Sequence, residues 1–355
     1  MFKFNKTVEI DGVKIGSGQP CYIVADVSAN HNSDFKTAKR FIRLAKDIGL
    51  NAIKFQTYTV EKYLSKKIKR EDGYHFNKSF QKAKKYELPY EWHQELFDYA
   101  KDLGVTIFST IDDIDTIDFL NKLNTPAFKV SSPDLNFLPM IEEAAKTLKP
   151  LILSTGIGDI SRIKEAIESV ASYGNDQLIL LHCVSMYPSH FSEMNIRCIT
   201  NLQDTFGLPV GLSDHTAASQ DPYSVALGAV ALGANMIEKH ITFSRSQDGP
   251  DHIFSMEPDE FSKLVTYIRN LEESLGNGRK CPVSREIKVS IEITKSIHTT
   301  RDIRAGEIIK ESDLRILRPG YGIEPKYLGD VIGMKAKVDI KDSEALEWNL
   351  LEKNK

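Results

Sequence analysis

Short apolar runs recur along this chain, each followed by an amphipathic stretch. In order they are CYIVADV (Cys21–Val27), NAIKFQT (Asn51–Thr57), GVTIFST (Gly104–Thr110) and PAFKVSS (Pro126–Ser132). PLILSTG (Pro150–Gly156), LILLHCVS (Leu178–Ser185), LPVGLSD (Leu208–Asp214) and ANMIEKHI (Ala234–Ile241) complete a set of eight. Most are bounded by glycine, proline or polar turns, as strands buried on both faces should be. Between them, KTAKRFIRLAKDIG and PYEWHQELFDYAKDLG place apolar residues three and four apart and end at glycine, which stops a helix in the left-handed region. DISRIKEAIESVASYG follows suit, with Asp159 or Ser161 as its cap. Eight strand–helix units over about 260 residues predict a (β/α)8 TIM barrel. The rival open sheet that binds dinucleotides is disfavoured, because no GxGxxG follows the first run.

The pattern breaks near Cys281. From about Ser290 the apolar runs shorten and turns such as RAGE, ESD and RPGYG crowd together. The expected organisation is a barrel over residues 1–280 with a short N-terminal hairpin, a linker at 281–289 and a small β-rich domain over 290–355. The hairpin, within residues 1–18, is expected to close the barrel floor. Residues 58–90, with the run KKIKRED, read as an extended loop, either a solvated surface or a lid.

Composition narrows the class. A formal charge of −3 speaks against general nucleic-acid binding, which calls for a basic protein. Four cysteines without a CxxC pair argue against a zinc knuckle or a disulfide scaffold. No long apolar window predicts a membrane span, and the charged first twenty residues do not read as a signal peptide. A cytoplasmic protein is expected.

Chemistry in a barrel sits at the carboxyl ends of the strands. Those ends hold Asp26; Lys54 and Gln56; Ser109 and Thr110; Lys129, Ser131, Ser132 and then Asp134; Ser154 and Thr155; His182, Ser185 and Tyr187; Ser213, Asp214 and His215; Glu238, Lys239 and His240. Any one of these has a bland reading as a satisfied core group. Together they are costly to bury unless they serve a ligand. Lysines with hydroxyls suit a phosphate or a carboxylate. His215 and His240 end adjacent strands and have three readings: a site for a divalent first-row metal, a hydrogen-bonded core pair, or a general-base pair. Asp26, Asp134 and Glu238 are placed to handle protons or to orient metal ligands.

The stretches VADVSANHN, IKFQTYT, PAFKVSS, LILSTG, LLHCVSMYP, PVGLSDHT, MIEKHITFSRSQDGPDHIFSMEPDEF and RPGYGI span nearly the whole chain. Together they resemble the sialic acid (nonulosonic acid) synthase family, most nearly its N-acetylneuraminate and pseudaminic acid synthases. The resemblance implies a barrel followed by a SAF (antifreeze-like) domain. It implies condensation of phosphoenolpyruvate with an open-chain acylated amino sugar to a nonulosonic acid and phosphate. It also implies a divalent metal on His215 and His240, most often Mn2+, with Mg2+ and Co2+ as alternatives. Lys54, Thr110, Lys129, Ser132, Ser154 and Ser213 would hold phosphoenolpyruvate. Gln56, Tyr187 and Asp251 would meet the sugar, with Arg318 supplied from the other copy of a domain-swapped homodimer. Asp26, Lys54, Lys129, Asp134 and Glu238 are the catalytic candidates.

This sequence departs from the family pattern at three places. Asp26 and Asp134 stand where glutamates are usual, and STID (Ser109–Asp112) stands where STPF is usual. These departures keep two alternatives open: a non-catalytic sugar- or anion-binding homologue, and a synthase for a different aldose.

Overall fold

The computed structural model describes residues 2–354. The chain divides into two compact units, Met1–Gly276 and Asn277–Lys355.

The first unit is a closed barrel of eight parallel strands. They are β1 (Tyr22–Asp26), β2 (Ala52–Thr57), β3 (Thr106–Ile111), β4 (Phe128–Val130), β5 (Leu151–Ser154), β6 (Leu178–Cys183), β7 (Val210–Asp214) and β8 (Met236–His240). Each pairs in register with its sequence neighbour, and β8 closes on β1 through Met236 opposite Tyr22 and His240 opposite Asp26. Every strand is followed by a helix, the last being Pro258–Leu275. The predicted stops hold: the helices Phe35–Ile48 and Tyr90–Leu103 end at Gly49 (φ 80°) and Gly104 (φ 64°). Asp159, not Ser161, caps its helix by accepting from Arg162 N.

Alternation along the strands builds two apolar layers. Ile23, Ala25, Ile53, Phe55, Leu153 and Leu212 face the helices. Tyr22, Val24, Ala52, Phe108, Ile152, Ile179, Leu181 and Met236 cluster instead with Val8, Ile10 and Ile15. Those last three come from the hairpin Thr7–Ile10/Val13–Gly16. The hairpin therefore plugs the amino end of the barrel, and inward-facing positions farther along each strand are left for polar groups. Gly211 belongs to this interior. A side chain there would collide with the Met236 carbonyl and with Leu181.

Residues 58–90 are more ordered than their composition suggests. They form a short helix (Val60–Tyr63), an antiparallel hairpin (Lys67–Arg70 with Gly73–Phe76) and the helix Lys78–Lys85. Both hairpin strands are solvent-facing, so they lack the apolar alternation that announces a strand. No helix among the described residues is long and apolar enough to cross a membrane.

The second unit has its own core, including Ile297, Ile303, Ile309, Leu314, Ile340 and Leu346. Its ladders are Ser296–Thr299 with Leu314–Leu317 and Lys335–Ala336 with Leu351–Glu352. The segment expected as a linker runs into an exposed helix, Ser284–Ile293.

Candidate active site

The carboxyl ends of all eight strands open into one cavity of about 240 Å³. Of the residues singled out from sequence, Asp26, Lys54, Gln56, Thr110, Lys129, Ser132, Ser154, Tyr187, Ser213, His215, Glu238, His240 and Asp251 line it. Asp134 stands just behind the wall, accepting a hydrogen bond from the hydroxyl of Ser131, which does line it. Arg318 belongs to the second unit. Ser28, Tyr63 and Cys183 line the cavity without having been marked as site residues. The first two lie beyond the strand ends, Ser28 at the start of the 3-10 turn Ser28–His31 and Tyr63 at the end of the short helix Val60–Tyr63. Cys183 ends an apolar run and carries no polar signal.

Strand pleat decides which of two adjacent polar residues enters the cavity. Ser213 and Glu238 point in. Their neighbours Asp214 and Lys239 form a separate buried ion pair at 2.6 Å, joined by Thr216. That second pair is satisfied internally and holds β7 to β8.

Inside the cavity the charges form a chain. Lys54 Nζ lies 2.8 Å from Asp26 Oδ2 and 3.3 Å from Glu238 Oε1. Lys129 Nζ lies 3.3 Å from the same Glu238 oxygen, and Ser213 Oγ donates to it at 3.0 Å. Burial alone would raise the Glu238 carboxyl, but Lys129 and Lys54 overcome it and hold the group down at about 2. Burial opposes the Lys54 charge, and Asp26 and Glu238 more than restore it, so this ammonium is held above its usual range. Lys129 shares its partner with a second ammonium, and burial leaves it lowered.

Asp26 meets its neighbours despite its shorter side chain. Its Oδ1 accepts from Ser28 N at 2.9 Å, and its Oδ2 lies 3.5 Å from His240 Nε2 as well as beside Lys54.

Several polar atoms of the wall are buried without a partner: Thr110 Oγ1, Ser154 Oγ, Glu238 Oε2 and His240 Nδ1. Buried polar groups are rarely left so unless a ligand completes them. Two hydroxyls beside two ammoniums make a receptor for an oxyanion. Ser132 Oγ already accepts from Gly156 N at 3.0 Å, which leaves its proton free to donate.

The His215 and His240 rings stand 5.4 Å apart at 79°. His215 Nδ1 donates to Val184 O at 2.9 Å, so its Nε2 carries the free lone pair. That pairing, and the orphaned nitrogen of His240, fit a metal held by two imidazoles. No cluster of three or more His, Cys, Asp or Glu among the described residues forms a closed cage. The remaining positions on an ion would fall to water and substrate. The Tyr187 ring packs 4.2 Å from that of His215.

Next to the cavity, Asp112 and Asp134 form a carboxyl pair. Burial and then the Asp134 charge push Asp112 well above the usual carboxylate range. Burial also raises Asp134, against the Ser131 hydrogen bond. Two neighbouring carboxyls disfavour each other's ionisation, and Asp112 is the one held more strongly in its protonated form. Asp112, the last residue of STID, is thus one member of an acid pair.

His182 and His252 make bracing contacts outside the cavity. His182 Nε2 bonds Met194 O at 2.7 Å. His252 ties Thr242 Oγ1 (2.7 Å) to Asn32 Oδ1 (3.2 Å) and so braces the loop that carries Asp251. Asp251 in turn accepts from Ser28 Oγ at 2.5 Å.

The chain is similar to known proteins along most of its length. The chain is 36% identical to the N,N'-diacetyllegionaminic acid synthase of Legionella pneumophila, across 97% of this chain and 98% of that protein. It is 34% identical to a pseudaminic acid synthase of Campylobacter jejuni, across 92% and 95%. Among solved structures, the N-acetylneuraminic acid synthetase of Leptospira borgpetersenii, in complex with citrate, superposes with a TM-score of 0.72 at 30% identity, over 81% of this chain and 95% of that one. Residues 294–352 match the SAF domain. Residues 41–280, which carry most of the barrel and all but one of its strands, match the NeuB family, and the chain belongs to that family.

Proposed function

We propose that this enzyme condenses phosphoenolpyruvate with the open-chain aldehyde of an acylated amino sugar, giving a nonulosonic acid and inorganic phosphate. The observation that carries the reading is the pair of buried ammoniums, Lys54 and Lys129, facing the unpartnered hydroxyls of Thr110 and Ser154 beside two imidazoles. A cavity of about 240 Å³ is sized for one small dianion or trianion and leaves the sugar to lie toward its mouth.

A divalent ion, Mn2+ in this reading, would be held by His215 and His240 and would polarise the aldehyde oxygen as a Lewis acid. The chain's own groups do the rest. Lys54, Lys129, Thr110, Ser132, Ser154 and Ser213 bind and orient the enol phosphate by its phosphate and carboxylate. C3 of phosphoenolpyruvate bonds to the aldehyde carbon as the C=O π pair moves onto the aldehyde oxygen, which takes up a proton, and positive character develops at C2. Glu238, held as a carboxylate with one oxygen unpartnered, faces that charge. Water adds at C2, its proton passes to solvent or to a nearby carboxylate such as Asp26, and the tetrahedral intermediate expels phosphate by C–O cleavage. Gln56, Tyr187 and Asp251 position the sugar at the mouth. Arg318 of a second copy would complete that end in a domain-swapped dimer. All four cysteines are unpaired, which suits a reducing, cytoplasmic setting.

The test is phosphate release from phosphoenolpyruvate with a panel of acylated amino sugars, with mass detection of the keto acid. The expected result is stoichiometric phosphate and keto acid with at least one nine-carbon product. No release with any aldose, from protein that binds manganese, would overturn the reading.

A further inference from the structure

The hairpin arm between β2 and the helix Tyr90–Leu103 takes no part in the chemistry above. Residues 61–87 hold nine Lys or Arg against four Asp or Glu, a net of +5 inside a chain of −3, so the rest of the protein carries −8. Lys62 is paired with Asp115, and Lys84 with Glu87 and Glu61. Among the described residues Lys67, Lys69, Arg70, Lys78 and Lys82 have no carboxylate partner, and all five are exposed.

The arm is fastened to the mouth of the cavity. Tyr58 OH donates to Ala83 O at 3.0 Å, the Tyr58 and Tyr63 rings stand 5.0 Å apart, and Tyr63 itself lines the cavity. Inside, three carboxylates (Asp26, Glu238 and Asp251) outnumber two ammoniums (Lys54 and Lys129). An enol phosphate with a carboxylate carries about three negative charges near neutral pH. It would approach an acidic protein and enter a cavity whose fixed charges do not favour it until its own contacts are made.

We propose that this cationic arm is an electrostatic collector for phosphoenolpyruvate, concentrating the anion at the mouth of the barrel. This rests on the reading that the cavity takes phosphoenolpyruvate. Exposed charges act through water over roughly one Debye length, about 8 Å at physiological salt, so the contribution is long-ranged yet screened. It acts on the anionic substrate and leaves a neutral sugar unaffected. Three of the four acids of the arm are engaged elsewhere, Asp72 with His75 and Glu61 and Glu87 with Lys84, which leaves the unpaired cations free for this purpose.

The experiment is calorimetric titration of phosphoenolpyruvate into full-length protein between about 0.05 M and about 0.5 M salt, a range that cuts the Debye length several-fold. Wild type is compared with the triple variant Lys67→Glu, Lys69→Glu, Arg70→Glu and with the corresponding triple glutamine variant. The expected result is a Kd weaker by about 3- to 10-fold at low salt for the glutamate variant, about half that effect in free energy for glutamine, and convergence at high salt. The KM for the neutral sugar should not move. Thermal unfolding confirms that the exposed substitutions leave the fold intact. Equal Kd and equal salt slope in wild type and variants would overturn the collector alone. Failure of wild type to bind phosphoenolpyruvate at all would overturn the functional reading, and the collector with it.

Discussion

Lys54 and Lys129 close on the same oxygen of Glu238, each at 3.3 Å. Asp26, 2.8 Å from Lys54, brings a second carboxylate to the pair of ammoniums, and the other Glu238 oxygen is left unpartnered. Burying these charges together costs stability, and the carboxylates hold both ammoniums where a ligand's own contacts can reach them.

Removing that carboxylate exposes the cost. Glu238→Gln leaves Lys129 without an acid partner in a dry site, and should lower stability by about 3 kcal/mol. Phosphoenolpyruvate or phosphate should recover more stability in the variant than in wild type. The folded Glu238 carboxyl sits at about 2, below its ordinary 4.5. Its contribution is therefore present above pH 4.5 and lost as pH falls toward 2. Thermal unfolding with and without ligand, and against pH in the acid range, measures both; an unchanged midpoint in Glu238→Gln would count against the shared contact.

Thr110 offers a cleaner separation of stability from binding. Its hydroxyl is buried without a partner, so Thr110→Val removes an unsatisfied group and should leave the apo protein as stable or slightly more so. Phosphoenolpyruvate affinity should fall by about 10-fold or more, since a charge-assisted hydrogen bond is lost. Loss of stability with unchanged affinity would reverse the assignment.

Asp112 predicts the opposite pH trend to Glu238. Its folded pKa is raised, so the folded state binds the proton more tightly than the unfolded chain. Its contribution to stability declines as pH rises above the ordinary aspartate value of 3.8. Asp112→Asn keeps the shape and the donor without the titration. The variant should match wild type in acid and exceed it in thermal midpoint near neutrality. Parallel stability–pH curves would show that Asp112 is not held in its protonated form.

His215→Ala and His240→Ala should each weaken manganese retention by about 100-fold or more, because a pair of imidazoles has no third protein ligand to fall back on. Metal analysis after dialysis and manganese titration reads this directly. Binding as tight as wild type in either variant would remove that histidine from the ligand set.

Arg318→Ala should raise the KM for the sugar more than that for phosphoenolpyruvate, and mixing it with a site-defective variant such as Lys129→Met should restore activity in mixed dimers. Equal effects on the two substrates, without such restoration, would place Arg318 outside the sugar site.

Much of the site was legible because a parallel barrel presents its strand ends on one face. Lys54, Thr110, Lys129, Ser154, Ser213, Glu238 and His240 each sit where an apolar run turns polar, and closure of the barrel brings those ends together. Tyr63 and Ser28 were not legible, since each sits in a single helical turn too short to carry a periodicity. Nor was the sorting of neighbours: Glu238 and Lys239 are adjacent and equally buried, yet one faces the cavity and the other pairs with Asp214 behind it. Residues 67–76 carried too little apolar alternation to be read as a hairpin, because neither of its faces is covered.

The sequence by itself determined the count of strands, the helices that cover them and the change of architecture near residue 281, since burial on both faces demands apolar runs and helix ends demand caps and glycines. Only the tertiary structure decided that Lys54 and Lys129 share one oxygen, that Asp112 meets Asp134, and that Lys239 is spent on Asp214. Those outcomes follow from strand register and pleat, which turn a difference of one position along the chain into opposite sides of a strand.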